Sequence, residues 1–186
     1  WVWAFLGDLP EAERPAIPDL FPEYDDPAGW HRVSYGFEAK ANWMRFEENS
    51  LDTAHTTFVH QQFGAIRNPK LEVFPLEHKE WGARVARVKP APGADQKTGE
   101  MAKLLAAERK STQVELEFSL LGLCHRIQPT FREGMSLINF TARTPVEDKL
   151  SRAFGWQARN YLKEPQYDAE RIAAIELAVR EDLAVV

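Results

Sequence analysis

With 186 residues, 44% hydrophobic and 27% charged, the chain is long enough for one domain with a real core. Its net charge of −5 gives no basis for binding nucleic acid or an anionic membrane surface, and no apolar run approaches the roughly 20 residues that cross a bilayer. The single cysteine, Cys124, excludes an internal disulfide and an all-cysteine zinc or iron–sulfur site, and it fits a reducing, cytoplasmic setting with no signal peptide in view.

The chain opens on a strand-like apolar run at 1–6 without an initiator Met, which reads as a segment cut from a longer protein. Five prolines and two glycines make 7–30 an irregular connection. Residues 30–39 alternate Val33, Tyr35 and Phe37 with Arg32, Ser34 and Gly36, a strand pattern. Asn42 is placed to cap a helix running from Trp43 to about His55, where Thr56 and Thr57 weaken helix propensity. Residues 71–75 and 83–89 read as paired strands, 90–100 as a Pro/Gly/charged loop, and 101–110 as a short helix. Strand patterns follow at 113–120, 123–130, 135–144 and 150–159, with turns at Glu133-Gly134 and Glu147-Asp148, and Phe154 shares a face with Trp156. From Asp168 onward an amphipathic helix carries the stripe Ile172, Ile175, Val179, Leu183 and Val186. The class is α+β: a twisted antiparallel sheet whose inner face is covered by helices, without internal repeats.

Chemistry concentrates in 42–64, where Glu47, Glu48, Asn49, Asp52, His55 and His60 are interleaved with Trp43, Phe46, Leu51, Phe58, Val59 and Phe63. A buried run this polar needs internal hydrogen-bond partners or a metal. Two imidazoles and one carboxylate suit a ferrous ion with positions left open for dioxygen, and zinc takes the same donors. Five residues apart, His55 and His60 fall about 140° apart on a continuous helix, so they converge only if it breaks; Thr56-Thr57 is the expected break. On the terminal helix Asp182 lies about 60° from the stripe centre at Val179, Glu176 about 60° to the other side, and Glu181 about 160° away, which predicts Glu181 in water. Asp168 is in line with the stripe but at the helix start. Spacing alone equally admits hydrogen-bonded core histidines, Asp52 bonded to His55, and a terminal helix that merely packs. Glu47-Glu48 reads as an exposed pair or a partner of Arg45; His31, His78, His125 and Cys124 read as structural or surface residues. Phe58, Phe63, Phe140, Phe154 and Trp156 serve either as cavity lining or as core.

NWMRFEENSLDTAHTTFVH resembles the iron-binding signature of Rieske non-haem iron oxygenases, N-W/Y-x-x-x-x-E/D-N-x-x-D-x-x-H-x-x-x-x-H, with Asn42, Trp43, Glu48, Asn49, Asp52, His55 and His60 in place. The opening WVWAFLGD looks like the segment that leaves the Rieske domain, and AVREDLAVV is similar to the family's late helix, with Asp182 at its carboxylate position. The resemblance implies a helix-grip fold (START/Bet v1-like) around a hydrophobic cavity. It implies mononuclear Fe(II) on His55, His60 and Asp182, with Asn49 lining the site. Asp52 would carry electrons across to a cluster histidine of a neighbouring subunit. It further implies a homotrimer fed by a reductase or ferredoxin, and an aromatic or other hydrophobic substrate hydroxylated or demethylated with O2, as in ring-hydroxylating or O-demethylase-type alpha subunits. Residues 1–186 are then a single catalytic domain. The chain lacks a C-x-H…C-x-x-H motif, so the domain bearing the 2Fe–2S Rieske cluster is expected before Trp1, and this part alone is not expected to turn over. Its Asp182 helix, four residues from the end, is expected to fray. The competing expectations are a helix-grip module that binds a hydrophobic ligand without redox chemistry, and a zinc hydrolase with Glu48 as base.

Overall fold

The computed structural model describes residues 2–64, 66, 69–71, 73–90 and 111–186. Strands β1 (His31–Ala39), β2 (Glu77–Lys79), β3 (Gly82–Pro90), β4 (Ser111–Ser119), β5 (Cys124–Arg132), β6 (Met135–Glu147) and β7 (Leu150–Arg159) form one antiparallel sheet in the order β1-β7-β6-β5-β4-β3-β2. Helices α1 (Trp43–Leu51) and α2 (His55–Val59) follow β1, and α3 (Asp168–Leu183) follows β7. Because β1 and β7 are antiparallel, with His31↔Arg159 at one end and Ala39↔Ser151 at the other, α1 leaves the pair at the Ala39 end and α3 starts at the His31 end. The sixteen residues of α3 run back towards α1, which brings Asp182, in its last turn, to Asn49 and His55. The architecture is the α+β helix-grip class, with the helices on one face of the sheet.

The register is set locally. Gly134, at φ +69, supplies the left-handed turn residue between β5 and β6, which a side chain would disfavour. In β6 the alternation sends Leu137, Asn139, Thr141 and Arg143 to the helix side and Ile138, Phe140 and Ala142 to the other. Cys124, Ile138, Phe140, Ala142, Trp156 and Ala158 make a buried core on that outer face. It is covered by Trp3, Leu20, Phe21, Tyr24 and Trp30, with the Phe21 ring 4.2 Å from Phe140. Residues 2–6 therefore do not form the expected strand; Trp3 is used as a packing group. Likewise 71 and 73–75 are not a strand. The Glu80-Trp81 turn instead fixes Lys79↔Gly82, so β2 begins only after Pro75, which has no N–H to give a ladder. The loop expected at 90–100 (apart from Pro90, the end of β3) and the helix expected at 101–110 lie outside the described residues.

On α3 the inward line is Arg171, Ala174, Ile175, Ala178, Val179 and Asp182. Ile172 and Leu183 stand at its margin, each 37% exposed, so the stripe is rotated from the expected one towards the alanines. Small residues at Ala174 and Ala178 leave a hollow rather than a filled seam. Asp168 is not in that hollow: it accepts from Arg159 Nη2 at 2.6 Å and from His31 Nε2 at 2.9 Å, pinning the start of α3 to β7 and β1. No helix among the described residues is long and apolar enough to cross a membrane.

Candidate metal centre

Asn42 caps α1 by accepting from Met44 N at 2.9 Å, and its own amide donates to Asp148 O. The helix stops at Leu51, because the Asp52 carboxylate turns forward and accepts from the backbone N–H of Ala54 (2.7 Å) and His55 (3.2 Å), opening α2. The break therefore lies at 52–54, not at Thr56-Thr57: a local carboxylate that captures backbone N–H groups outcompetes a mild propensity loss. His55 begins α2, and His60 follows its end in extended conformation (φ −87, ψ 119).

The imidazoles now converge on α3. His55 Nε2 lies 3.2 Å from His60 Nε2 and 3.3 Å from Asp182 Oδ1, and His60 Nε2 lies 3.2 Å from the same oxygen. The far nitrogens are committed: His55 Nδ1 donates to the Asp52 carbonyl, and His60 Nδ1 donates to Glu181 Oε2 at 2.9 Å. Both acceptors can only accept, so each ring carries its hydrogen on Nδ1 and presents a lone pair at Nε2. Three lone pairs thus face one point and repel unless a cation or a proton sits between them. Octahedral ligands at about 2.1–2.2 Å from an ion stand about 3.0–3.1 Å apart, close to the observed triangle. The donor set and its spacing fit a divalent transition ion.

Electrostatics agree. Burial alone would raise the Asp182 pKa, but the His55 and His60 imidazoles and the Asn49 amide beside it hold it well below the usual carboxylate range. Asn49 Nδ2 donates to Asp182 Oδ1 at 2.9 Å and steers that oxygen. Burial lowers His60, yet Asp182 and Glu181 outweigh it and the net shift is upward, so a proton competes with any ion for Nε2.

Two residues stand elsewhere than expected. Glu181 does not face water: only 11% of its side chain is exposed, and it accepts from both His60 Nδ1 and Gln61 N. The 60–64 turn wraps over the end of α3, so a residue off the helix stripe is still covered. Glu47 is buried, not paired outward: it forms an ion pair with Arg143, and His125 Nδ1 lies 3.3 Å from its other oxygen. Glu48 does pair with Arg45, at 2.9 Å, and it does not line the cavity, which leaves the hydrolase expectation without its base. The Asp52 carboxylate is 51% exposed and only 3.9 Å from His55 Nδ1, so it reaches His55 through the main chain.

The triad opens on a cavity of about 360 Å³ between the sheet and the three helices, within the usual range for small-molecule sites. Phe37, Phe46, Val114, Ile127, Leu137 and Ile175 supply much of its apolar wall. Of the five aromatic residues named from sequence, only Phe63 lines it. Phe140 and Trp156 belong to the outer core, and Phe58 and Phe154 are exposed. His125 is buried in the cavity wall, and burial pushes its pKa down to about 4, so it is neutral near pH 7.

A helix-grip sheet with a two-histidine, one-carboxylate cluster at the end of an internal cavity defines a class, the catalytic domain of Rieske oxygenases. Within that class, the chain belongs to the family of vanillate O-demethylase oxygenase C-terminal domains, whose family model matches residues 39–186. No curated protein matches the sequence. Among solved structures, it is similar to NdmA of Pseudomonas putida CBB5 with caffeine (TM-score 0.66, 20% identity, 93% of this chain and 46% of that chain). It is also similar to dicamba monooxygenase bound to 3,6-dichlorosalicylic acid (TM-score 0.71, 18% identity, 92% of this chain and 52% of that chain). At these identities the likeness is one of fold, and the chain spans about half the length of the solved proteins it matches.

Proposed function

We propose that this chain is the substrate-oxidising domain of a Rieske-type oxygenase, which hydroxylates or demethylates an aromatic or other hydrophobic molecule with O2. The observation that carries this reading is the convergence of three lone pairs, on His55 Nε2, His60 Nε2 and Asp182 Oδ1, at the end of an apolar cavity. His55, His60 and Asp182 would hold one Fe(II), which supplies the redox chemistry that activates O2. The chain's own groups do the rest. Asn49 orients Asp182. The Asp52 carbonyl and Glu181 fix both imidazole tautomers and make Nε2 more basic. The cavity wall excludes water and holds a flat ring against the triad. NdmA and dicamba monooxygenase, solved with caffeine and 3,6-dichlorosalicylic acid, support a ring-sized substrate.

Electrons must come from a cluster outside these residues, since Cys124 is the only cysteine and is buried. The Asp52 carboxylate, exposed on the surface while its carbonyl holds His55, would accept a hydrogen bond from a 2Fe–2S ligand of a neighbouring subunit in a homotrimer served by a reductase or ferredoxin. Anaerobic loading with Fe(II) tests the centre. Wild type is expected to retain one iron per chain and His60→Ala none. Equal iron in His60→Ala, or preferential zinc retention with hydrolytic activity, would overturn the reading.

A further inference from the structure

Helix α3 spans a hollow, and packing alone does not fix where it lies. Of its sixteen residues only Ile175 is buried, and the alanines at 174 and 178 face the cavity with little to grip. What holds the helix is polar and sits at its two ends.

The foot is built from the ends of β1 and β7. His31 and Arg159 face each other across that strand pair, and both reach Asp168, the first residue of α3. Arg159 Nη2 donates to Asp168 Oδ1 at 2.6 Å, and His31 Nε2 lies 2.9 and 3.0 Å from the two carboxylate oxygens. The Arg159 side chain is 1% exposed and also donates to Leu162 O at 2.7 Å and to Glu164 O at 3.1 Å, so one buried guanidinium gathers the connection from β7 to α3. Two residues back on the same face of β7, Gln157 accepts from Arg171 Nε at 2.6 Å. The start of α3 is thus tied to two strands through ionised and amide groups.

The tip is held by residues 49–61 instead. Asp182 accepts from Asn49, Glu181 accepts from His60 and Gln61, and Asp182 Oδ1 stands beside His55 Nε2 and His60 Nε2. Asp168 and Asp182 are fourteen residues apart, about 21 Å along the axis. Over that length a tilt of about 5° at the foot carries the tip about 2 Å, whereas a metal–ligand distance tolerates about 0.2 Å. The direction given to α3 at Asp168 therefore decides whether Asp182 meets the two imidazoles.

Resting on the reading of the triad as an iron site, we propose that Asp168 is a positioning residue for the metal centre: acting through α3, its bonds to Arg159 and His31 set the place of Asp182 between His55 and His60. Asp168 touches neither the triad nor the cavity wall, so its effect on the ion runs only along the helix.

Co(II) is the probe, since it takes the same nitrogen and oxygen donors as Fe(II) and its visible absorption changes with the ligand set. Its affinity is measured by competition with a chelator, below the temperature at which any variant unfolds. Asp168→Ala is expected to weaken Co(II) binding about 2- to 30-fold, the range for coupling between distant groups, and to shift the visible bands. Asp168→Asn keeps one oxygen for Arg159 and is expected to lose less. Phe140→Ala, destabilised on the opposite face, is expected to keep wild-type affinity and bands, which separates positioning from stability. Wild-type affinity and bands in Asp168→Ala, or an equal loss in Phe140→Ala, would overturn the assignment. Hydrogen exchange of wild type needs no variant: the amides of 172–175, which bond back into the first turn, should be protected with and without Co(II), and those of 180–183 should gain protection on loading. Protection confined to 180–183 in the ion-free protein would also overturn it. Absence of Co(II) and Fe(II) binding in wild type would sink the iron-site reading itself, whereas binding that ignores Asp168 would sink only this inference.

Discussion

The two faces of the sheet solve opposite problems. The outer face is dry and filled: Ile138, Phe140, Trp156 and Ala158 are at most 1% exposed, closed over by aromatic residues from 3–30. The inner face is hollow and polar, with His60, His125, Arg143 and Gln157 all under 6% exposed around about 360 Å³ of space. Stability is concentrated where packing is dense, and chemistry where it is deliberately left incomplete. The two faces alternate along the same strands, one residue apart, so single substitutions can address each face separately.

The largest expected effect is on the outer face. Phe140→Ala removes a fully buried ring stacked on Trp156 and should cost about 3–5 kcal/mol in chemical denaturation. Iron stoichiometry at a temperature where the variant is folded should be unchanged. Loss of iron in the folded variant would mean that the faces are coupled.

The next effect belongs to the inner face and depends on pH. The His125 pKa is lowered by burial from 6.5 to about 4. Above pH 6.5 neither folded nor unfolded chain protonates it. As pH falls below 6.5 the unfolded chain takes up a proton that the folded one refuses, so stability is lost down to about pH 4, by up to about 3 kcal/mol. In the ion-free protein His60 acts in the opposite sense: its raised pKa gives stability below 6.5 that is lost as pH rises through the folded value. Denaturation of His125→Asn against wild type, followed from pH 7 to 4, should show a shallower fall in the variant. Parallel curves would refute a neutral buried His125.

A smaller effect tests the group that tunes the triad. Glu181→Gln keeps the volume but weakens the hold on His60 Nδ1, and should reduce Fe(II) affinity about 10- to 100-fold in competition with a chelator. Stability of the ion-free protein should change little. Unchanged affinity would make Glu181 a packing residue only.

These residues also show what could be read in advance. Strands β1 and β3–β7 were legible because period-2 alternation is local, whereas the described residues of the apolar runs at 1–6 and 71–75 are not strands; His55, His60 and Asn49 stood out because they sit on one short segment. Asp182 was reachable because a helix face can be counted from its own sequence. Glu181 was not, since its burial comes from the 60–64 turn folding over a distant helix. Glu47 was hidden for the same reason: its partners Arg143 and His125 lie on β6 and β5, and no local pattern pairs them. Alternation also told that Phe154 and Trp156 share a face, but not which face is hollow; that depends on Trp3, Phe21 and Tyr24 covering the other side. The helix breaks at 52–54 and not at the expected Thr56-Thr57, because capture of two N–H groups by Asp52 outweighs a mild loss of propensity and leaves no trace in helix-interior preferences.

The smallest expected effect on this chain is also the sharpest test of how it works with others. Asp52→Asn retains an oxygen that can accept from the Ala54 and His55 N–H groups, and asparagine caps helices as well as aspartate, so stability should stay within about 0.5 kcal/mol. The carbonyl that holds His55 Nδ1 is main chain and is untouched, so Fe(II) affinity should match wild type. What changes is the exposed charge. If Asp52 serves electron entry from a neighbouring subunit, the assembled oxygenase should lose turnover with its reductase while this domain keeps its iron, its fold and its substrate affinity. A variant that turns over normally would leave Asp52 as a helix cap and nothing more, and a variant that loses iron would place it in the metal centre itself.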